Sequence, residues 1–351
     1  MLKIYTDVSH YSSSKRGYLS DILRPFVPIH RLEKFGIKKG MVKLVQHIEE
    51  CDLCILPMAW NYYIKTHTIS VADKMIKEAQ KNGKYILIGV YGDYFIALPN
   101  YEHIIGMYTS IYKSLFKSNY ISLPVIIRDP LLSNKLEKVT LREINAMPSI
   151  GFCGQSDPNL IVSSMKMAQL IWKNVKYNCH LSKCYPGPVI PPTYLRKKVL
   201  DILDATDTLH TEFLRRDRYQ GGKSKKMDSF KELRNEFYHN IENTDYTLCI
   251  RGTGNFSARF YETLALGRIP IFINTDCILP FADAINWKKH VIWIEQNEIP
   301  ENRTKILDFH KGLTPKLFTG IQIKNRQLWE DYFSFPGFID KLIIYLKETM
   351  N

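Results

Sequence analysis

The sequence has no run of the roughly 20 apolar residues that a bilayer-spanning helix needs. It has no internal repeat and no low-complexity tract, which sets aside solenoids and disordered linkers. No RNP-type or zinc-finger pattern is present, so no nucleic-acid partner is expected. The amino terminus "MLKIYTDVSHYSSSKRG" lacks a long apolar segment, so no secretory signal is expected and a cytoplasmic location is. Cysteine is scarce and odd in number, seven in 351 residues. Cys51 and Cys54 have zinc-knuckle spacing, but they sit at the start of an apolar, strand-like run. Cys179 and Cys184 have the wrong spacing to complete a set, so no metal site is expected and reduced thiols are. Acidic residues are in short supply: 35 Asp and Glu against 48 Lys and Arg, a formal charge of +13. That excess favours anionic partners, among them nucleotides and an acidic membrane surface contacted peripherally.

What is present is ample core material, 45% hydrophobic and 12% aromatic residues. The length points to two domains. "LKIYTDV" reads as a strand, "KGMVKLVQHIEE" as a helix, "CDLCILPMAW" as a strand and "SVADKMIKEAQKNG" as an amphipathic helix stopped by Gly83. "KYILIGVYGDY" is the next strand. This alternation predicts a parallel, doubly wound sheet. Residues 128 to 148 read as a crossover, and "SIGFCGQ" opens a second domain with a helix over 159 to 176. "YPGPVIPPTY" and the basic "RRDRYQGGKSKKMDS" read as loops. The expected division is an N-terminal domain over 1–145 and a second over 146–330. A C-terminal helical segment over 331–351, broken near Pro336 and Gly337, should pack back across both. Ligands of open α/β sheets bind outside the carboxyl ends of the strands, so a crevice between the two domains is the expected site.

The most informative stretch is "CIRGTGNFSARFYETLALGRIPIFIN", residues 249 to 274. A buried strand should end near Ile250, placing Arg251 at its carboxyl end. Gly252 and Gly254 suit a sharp turn and close approach of a ligand. Asn255 or Ser257 can cap the following helix, and Gly267 can stop it. Arg259 in the first helical turn opposes the helix dipole, a cost of a few tenths, about 0.3 kcal/mol, that a bound anion would reverse. Strand, glycine turn and helix start form a cradle for a diphosphate. Glu262, one turn beyond Arg259, can accept two hydrogen bonds from vicinal hydroxyls of a ribose. The plain alternative is an Arg259–Glu262 surface pair with glycines that only turn the chain.

The string "RGTGNFSARFYETLALGRIPIFINTDCILPF", residues 251 to 281, closely resembles the exostosin-type glycosyltransferase family. That family carries an RG-x-G-x-x-S-x-RFYE-x-L-x-x-G-x-IP-V run followed by an acidic residue and LPF. "ECDLCILPM", "GFCGQ" and "RRDRYQGG" resemble further family segments more loosely. The resemblance implies a GT-B architecture, two Rossmann-like domains with the donor bound mostly by the second. It implies inverting transfer from a nucleotide-sugar, usually a UDP-sugar, to a glycan or glycolipid acceptor, without an obligatory metal. Arg251, Gly252, Gly254, Ser257 and Arg259 would hold the diphosphate and Glu262 the ribose, with Arg218 of the basic loop adding charge. Animal members carry an N-terminal membrane anchor, which this sequence lacks, so an enzyme of surface-polysaccharide synthesis is expected.

Inverting transfer also needs a base for the acceptor hydroxyl. The candidates are Asp93 after "YILIGVYG", and Asp7 and His10 after the first strand. Trp60, Tyr62 and Tyr63 could stack on a sugar, although packing is the commoner role. Two rival functions stay open: a GDP-sugar fucosyltransferase-like enzyme, and a non-catalytic nucleotide- or glycan-binding subunit supporting a partner transferase.

Overall fold

The computed structural model describes residues 1–27, 40–133, 138–156, 160–216 and 227–350. The chain divides into two units. Unit 1 comprises Met1–Pro124, Ile278–Pro280 and Asp331–Asn351, and unit 2 comprises Val125–Cys277 and Phe281–Glu330.

Unit 1 is built on β1 (Leu2–Tyr5), β2 (Val42–Leu44), β3 (Leu53–Ile55), β4 (Ile86–Val90), β5 (Ile104–Tyr108) and β6 (Tyr120–Ser122). All pair in parallel, in the order β2-β1-β3-β4-β5-β6. The residues of β3, β4 and β5 are buried throughout, as strands covered on both faces must be. Helices α1 (Trp60–Lys65) and α2 (Ile69–Lys81) link β3 to β4. Ala72, Met75, Ile76 and Ala79 of α2 are buried, one apolar stripe at helical spacing. Gly83 then takes a φ of 61°, the left-handed conformation that ends the helix.

The segment "KGMVKLVQHIEE" is not a helix. It holds the short edge strand β2, paired Leu2 to Val42 and Ile4 to Leu44, and a single tight turn over Ile48–Glu50. Gly40 at a φ of 92° and the β-branched Val42 favour the extended chain, and pairing with β1 outweighs a weak helical period.

Unit 2 opens with the short helix α3 (Pro130–Ser133) and continues through β7 (Ser149–Gln155), α4 (Leu160–Asn178), α5 (Pro192–Asp204), β8 (His210–Arg216), α6 (Met227–Glu242) and β9 (Tyr246–Cys249). It ends with α7 (Ala258–Ala265), β10 (Ile269–Asn274), β11 (Ile292–Glu295), α8 (Asn302–Lys311) and α9 (Pro315–Leu328). Its parallel sheet runs β11-β10-β9-β7-β8. The core gathers Ile150, Phe152, Leu248, Ile271, Ile273 and Ile294 from the strands, with Leu200 and Phe318 from the helices. The expected loop "YPGPVIPPTY" is shorter than anticipated, because Pro192 starts α5, where a missing N–H costs nothing. Crossover residues 138–148 are tied into unit 2. Arg142 pairs with the buried Asp245 at 2.9 Å, and its backbone N–H and carbonyl both bond the Gln322 side chain.

Beyond α9 the chain makes a π turn over Trp329–Phe333, and α10 (Phe335–Met350) follows within unit 1. The break falls at Ser334, upstream of Pro336. Ser334 Oγ accepts from the Gly337 N–H at 3.1 Å, and Pro336 sits in the first helical turn, where it is tolerated. Among the described residues, no helix is long and apolar enough to cross a membrane.

One buried cation organises the amino-terminal side of the unit 2 sheet. Arg268, 2% exposed, donates through Nε and Nη2 to the Glu242 carbonyl and through Nη1 to the Leu266 carbonyl. It thus closes the C-terminal ends of α6 and α7, where a positive charge suits both helix dipoles. Burial lowers its pKa to about 10. Replacing Arg268 with Met should therefore lower unfolding stability by about 3 kcal/mol, since the last carbonyls of two helices lose their donors. Urea denaturation checks this, and a change below about 0.5 kcal/mol would show those carbonyls to be satisfied otherwise.

Candidate functional site

In each sheet the strand order reverses direction once, between β1 and β3 in unit 1 and between β7 and β9 in unit 2. At such a reversal the connections leave to opposite sides, and a crevice opens outside the strand carboxyl ends.

In unit 2 the two strands at the reversal pair only at Ile150–Tyr246 and Gly151–Thr247. Beyond those positions two guanidinium groups join them. Arg259 donates from Nη2 to the Cys153 carbonyl of β7 at 2.6 Å and from Nη1 to the Leu248 carbonyl of β9 at 3.2 Å. Arg196 of α5 donates from Nη1 to the Gln155 carbonyl and from Nη2 to the Arg251 carbonyl, each at 3.0 Å. Carbonyls that the diverging ladder leaves over thus meet charged donors instead. The Arg259 guanidinium also lies 4.2 Å from the centre of the Phe152 ring. It fits because Gly154 has no side chain: a Cβ there would stand 2.7 Å from Nη2.

Arg251 follows β9, is 7% exposed and bonds the Gly252 carbonyl through Nη1 at 3.4 Å. The loop closes with the Gly252 N–H donating to the Phe256 carbonyl. Asn255 pins it to the turn after β10, donating to the Asp276 carbonyl and accepting from Thr275 Oγ1. Neither Gly252 nor Gly254 has a positive φ, so the sharp turn expected of them does not draw on glycine's special conformation. At Gly252 an added Cβ would make ordinary contact, 3.8 Å from Arg196. Ser257 holds the N-cap position of α7, yet its hydroxyl makes no capping hydrogen bond. Gly267, at a φ of 64°, ends α7 as expected.

The electrostatics around α7 are unfavourable by construction. Burial lowers the pKa of Arg259, and its buried Nε meets no partner among the described residues. Glu262, half-buried one turn on, has its carboxyl pKa raised by burial, which Arg259 and Arg234 only partly offset. Arg216 at the end of β8 is already paired with Glu236. Arg218 lies outside the described residues.

The base candidates sit at the carboxyl edge of unit 1. Asp7 and His10 follow β1, at the order reversal, and Asp93 follows β4, two strands further along. The Ser9 backbone N–H holds the Asp7 carboxyl below its usual range, which weakens it as a base. Burial lowers His10, keeping the imidazole neutral. Its Nε2 lies 2.9 Å from Tyr63 Oη, and its Nδ1 is buried without a partner among the described residues. Asp93 is exposed, and its carbonyl accepts from Ser110 Oγ. Trp60, Tyr62 and Tyr63 are buried, so these rings are packing residues and not a sugar platform. Cys51 and Cys54 are buried free thiols 3.6 Å apart, and among the described residues no cluster of three or more metal-ligating side chains occurs.

Arg196 was not legible as a site residue, since only the tertiary approach of α5 to the β7 and β9 ends reveals it. Glu262 gives the site a measurable signature. Its folded pKa lies above the ordinary 4.5, so the folded state holds the proton more tightly than the unfolded chain. Its contribution to stability is then full below that value and is lost as pH rises through the folded pKa. Glu262→Gln should raise the melting temperature of the ligand-free protein at about pH 7.5 and leave it unchanged near pH 4. An equal shift at both pH values would place the effect outside the titration.

Comparison with known proteins matches one segment of the chain, which holds part of this region, to a family. Residues 192–308 match the Exostosin GT47 domain, a span that includes Arg196 and the whole of 251–262 but not β7. Exostosin-1 of Drosophila melanogaster is 27% identical over 111 residues, covering 32% of this chain and 14% of that protein. "Probable beta-1,4-xylosyltransferase IRX10" of Arabidopsis thaliana is 34% identical over 65 residues, covering 18% of this chain and 16% of that protein. Each alignment thus spans less than a fifth of the relative's own length. Among solved structures, TarM aligns over 84% of this chain and 54% of its own, at 11% identity and a TM-score of 0.37. Over the matched segment the chain is similar to the exostosin-type glycosyltransferases.

Proposed function

We propose, from that exostosin-type similarity, that the chain is a glycosyltransferase whose second unit binds a nucleotide-sugar donor at the β7–β9 reversal. One observation carries this: Arg259, from the first turn of α7, bonds carbonyls on both strands of the order reversal, and it and Arg251 lie inside the segment that matches the family. Arg259 has guanidinium N–H capacity beyond its two carbonyl bonds, and a diphosphate there would offset the cost of its burial. The first amides of α7 and the Ser257 hydroxyl, which makes no capping hydrogen bond, add donors for the same anion. Glu262, ionised, takes the ribose hydroxyls.

The donor proposed is a UDP-sugar, the acceptor a glycan or glycolipid hydroxyl, and the transfer inverting, without an obligatory metal. In that reaction the acceptor oxygen attacks the anomeric carbon from the side opposite the diphosphate. The new C–O bond forms as the old one breaks, the electron pair leaves on the diphosphate, and the acceptor proton goes to a base. Cations and helix amides favour the departing charge more than the bound donor, which is what accelerates the step. Among the three base candidates, His10 is the one with a neutral ring, and its buried Nδ1 has no partner among the described residues.

The test is thermal stability against a panel of nucleoside diphosphates and nucleotide-sugars. A ligand at about 100 times its dissociation constant adds about 2.7 kcal/mol. UDP and one UDP-sugar should raise the melting temperature, and Glu262→Gln should abolish the shift. His10→Ala should leave the UDP shift intact while lowering turnover about 100-fold or more. No shift with any nucleotide would remove the donor site. A shift with no turnover under any acceptor would favour a nucleotide-binding subunit.

A further inference from the structure

Helix α4 of unit 2 packs by the wrong stripe. Ser163, Met167, Leu170, Asn174 and Tyr177 recur at helical spacing and are buried or half-buried, as is Lys173 beside them. Asn174 secures that side by bonding both the N–H and the carbonyl of Gly187 in the following loop. The opposite stripe is Ile161, Met165, Ala168, Trp172 and Val175, all exposed. Ile161 is 75% exposed, Met165 61% and Trp172 58%. A helix in a water-facing position normally buries its apolar stripe and shows its polar one. Here Ser163 and Asn174 go inward beside Met167, Leu170 and Tyr177, while Ile161, Met165 and Trp172 point out.

Charge on this part of the chain has one sign. From residue 160 through residue 200 there is no Asp or Glu, against six lysines and one arginine. Lys166 and Lys176 are exposed on one side of the helix between the two stripes, and Lys176, the one bordering the apolar stripe, holds its Nζ 5.5 Å over the Trp172 ring. An apolar stripe edged by lysines and carrying a tryptophan is the pattern of a helix lying in a membrane interface. The same pattern disfavours a second copy of the helix as its cover, since that would set lysine against lysine.

We propose that the outer face of α4 seats the protein on an anionic lipid surface. Ile161, Met165 and Trp172 enter the boundary between headgroups and acyl chains, and Lys166 and Lys176 meet the lipid phosphates. This contact does not depend on what the β7–β9 site binds.

The test is co-sedimentation of the full chain with vesicles of phosphatidylglycerol or of phosphatidylcholine. Binding should favour phosphatidylglycerol and weaken as salt is raised. Met165→Gln with Trp172→Gln should weaken it on the order of a hundredfold, through lost apolar burial. Lys166→Glu with Lys176→Glu should weaken it about tenfold or more. These side chains are exposed, so circular dichroism of all variants should match the parent. Absence of binding to phosphatidylglycerol vesicles overturns the proposal, as does binding that neither double variant reduces. A dimer by light scattering that the Met165→Gln, Trp172→Gln variant dissociates, without vesicle binding, would assign the face to a second copy instead. The nucleotide-induced melting shift, measured on the same preparations, reads donor binding separately, so failure of one does not imply failure of the other.

Discussion

The site depends on how β7 and β9 are held together past the point where their ladder ends. The two strands exchange backbone bonds only near their starts. Further along, Arg259 and Arg196 each reach a carbonyl on both sides of the divergence. This arrangement satisfies backbone acceptors that would otherwise be orphaned, and it leaves the strand ends apart. A continued backbone ladder would do the first but not the second. The opening that results carries positive charge because its cross-links are guanidinium groups.

That solution has an electrostatic cost. The Arg259 cation and the Glu262 carboxyl are both disfavoured by burial, and their mutual attraction does not cancel it. Residues kept in an unfavourable state without ligand are commonly those whose environment a ligand completes. A diphosphate would stabilise the cation, and ribose hydroxyls would solvate the carboxylate. In unit 1 the corresponding reversal holds His10, also disfavoured as a cation by burial. Both reversals therefore carry titratable groups that burial perturbs, and they differ in the chemistry available.

Much of unit 2 was legible in the sequence because strand, turn and helix signals follow one another closely from Tyr246 to Asn274. Gly267 stops α7 as its position suggests, and β7 coincides with "SIGFCGQ". What local patterns could not reveal were contacts made at long range. Arg196 sits in an ordinary helical pattern 55 residues from its Arg251 partner. Gly154 matters for the room it leaves Arg259, while Gly252 and Gly254 of the motif have no positive φ. The edge strand β2 was hidden because a three-residue strand has too few positions to show a period. The outward stripe of α4 was likewise invisible, since the sequence shows two stripes and only packing decides which one turns inward.

The central claim is that a nucleoside diphosphate completes the β7–β9 reversal. Amide hydrogen exchange of the whole chain with and without UDP tests it most directly. The account predicts slowed exchange on UDP addition in the peptides covering 152–156 and 250–260, where the guanidinium cross-links and the start of α7 lie. Protection confined to unit 1, or binding of UDP with no protection in those two segments, would contradict it.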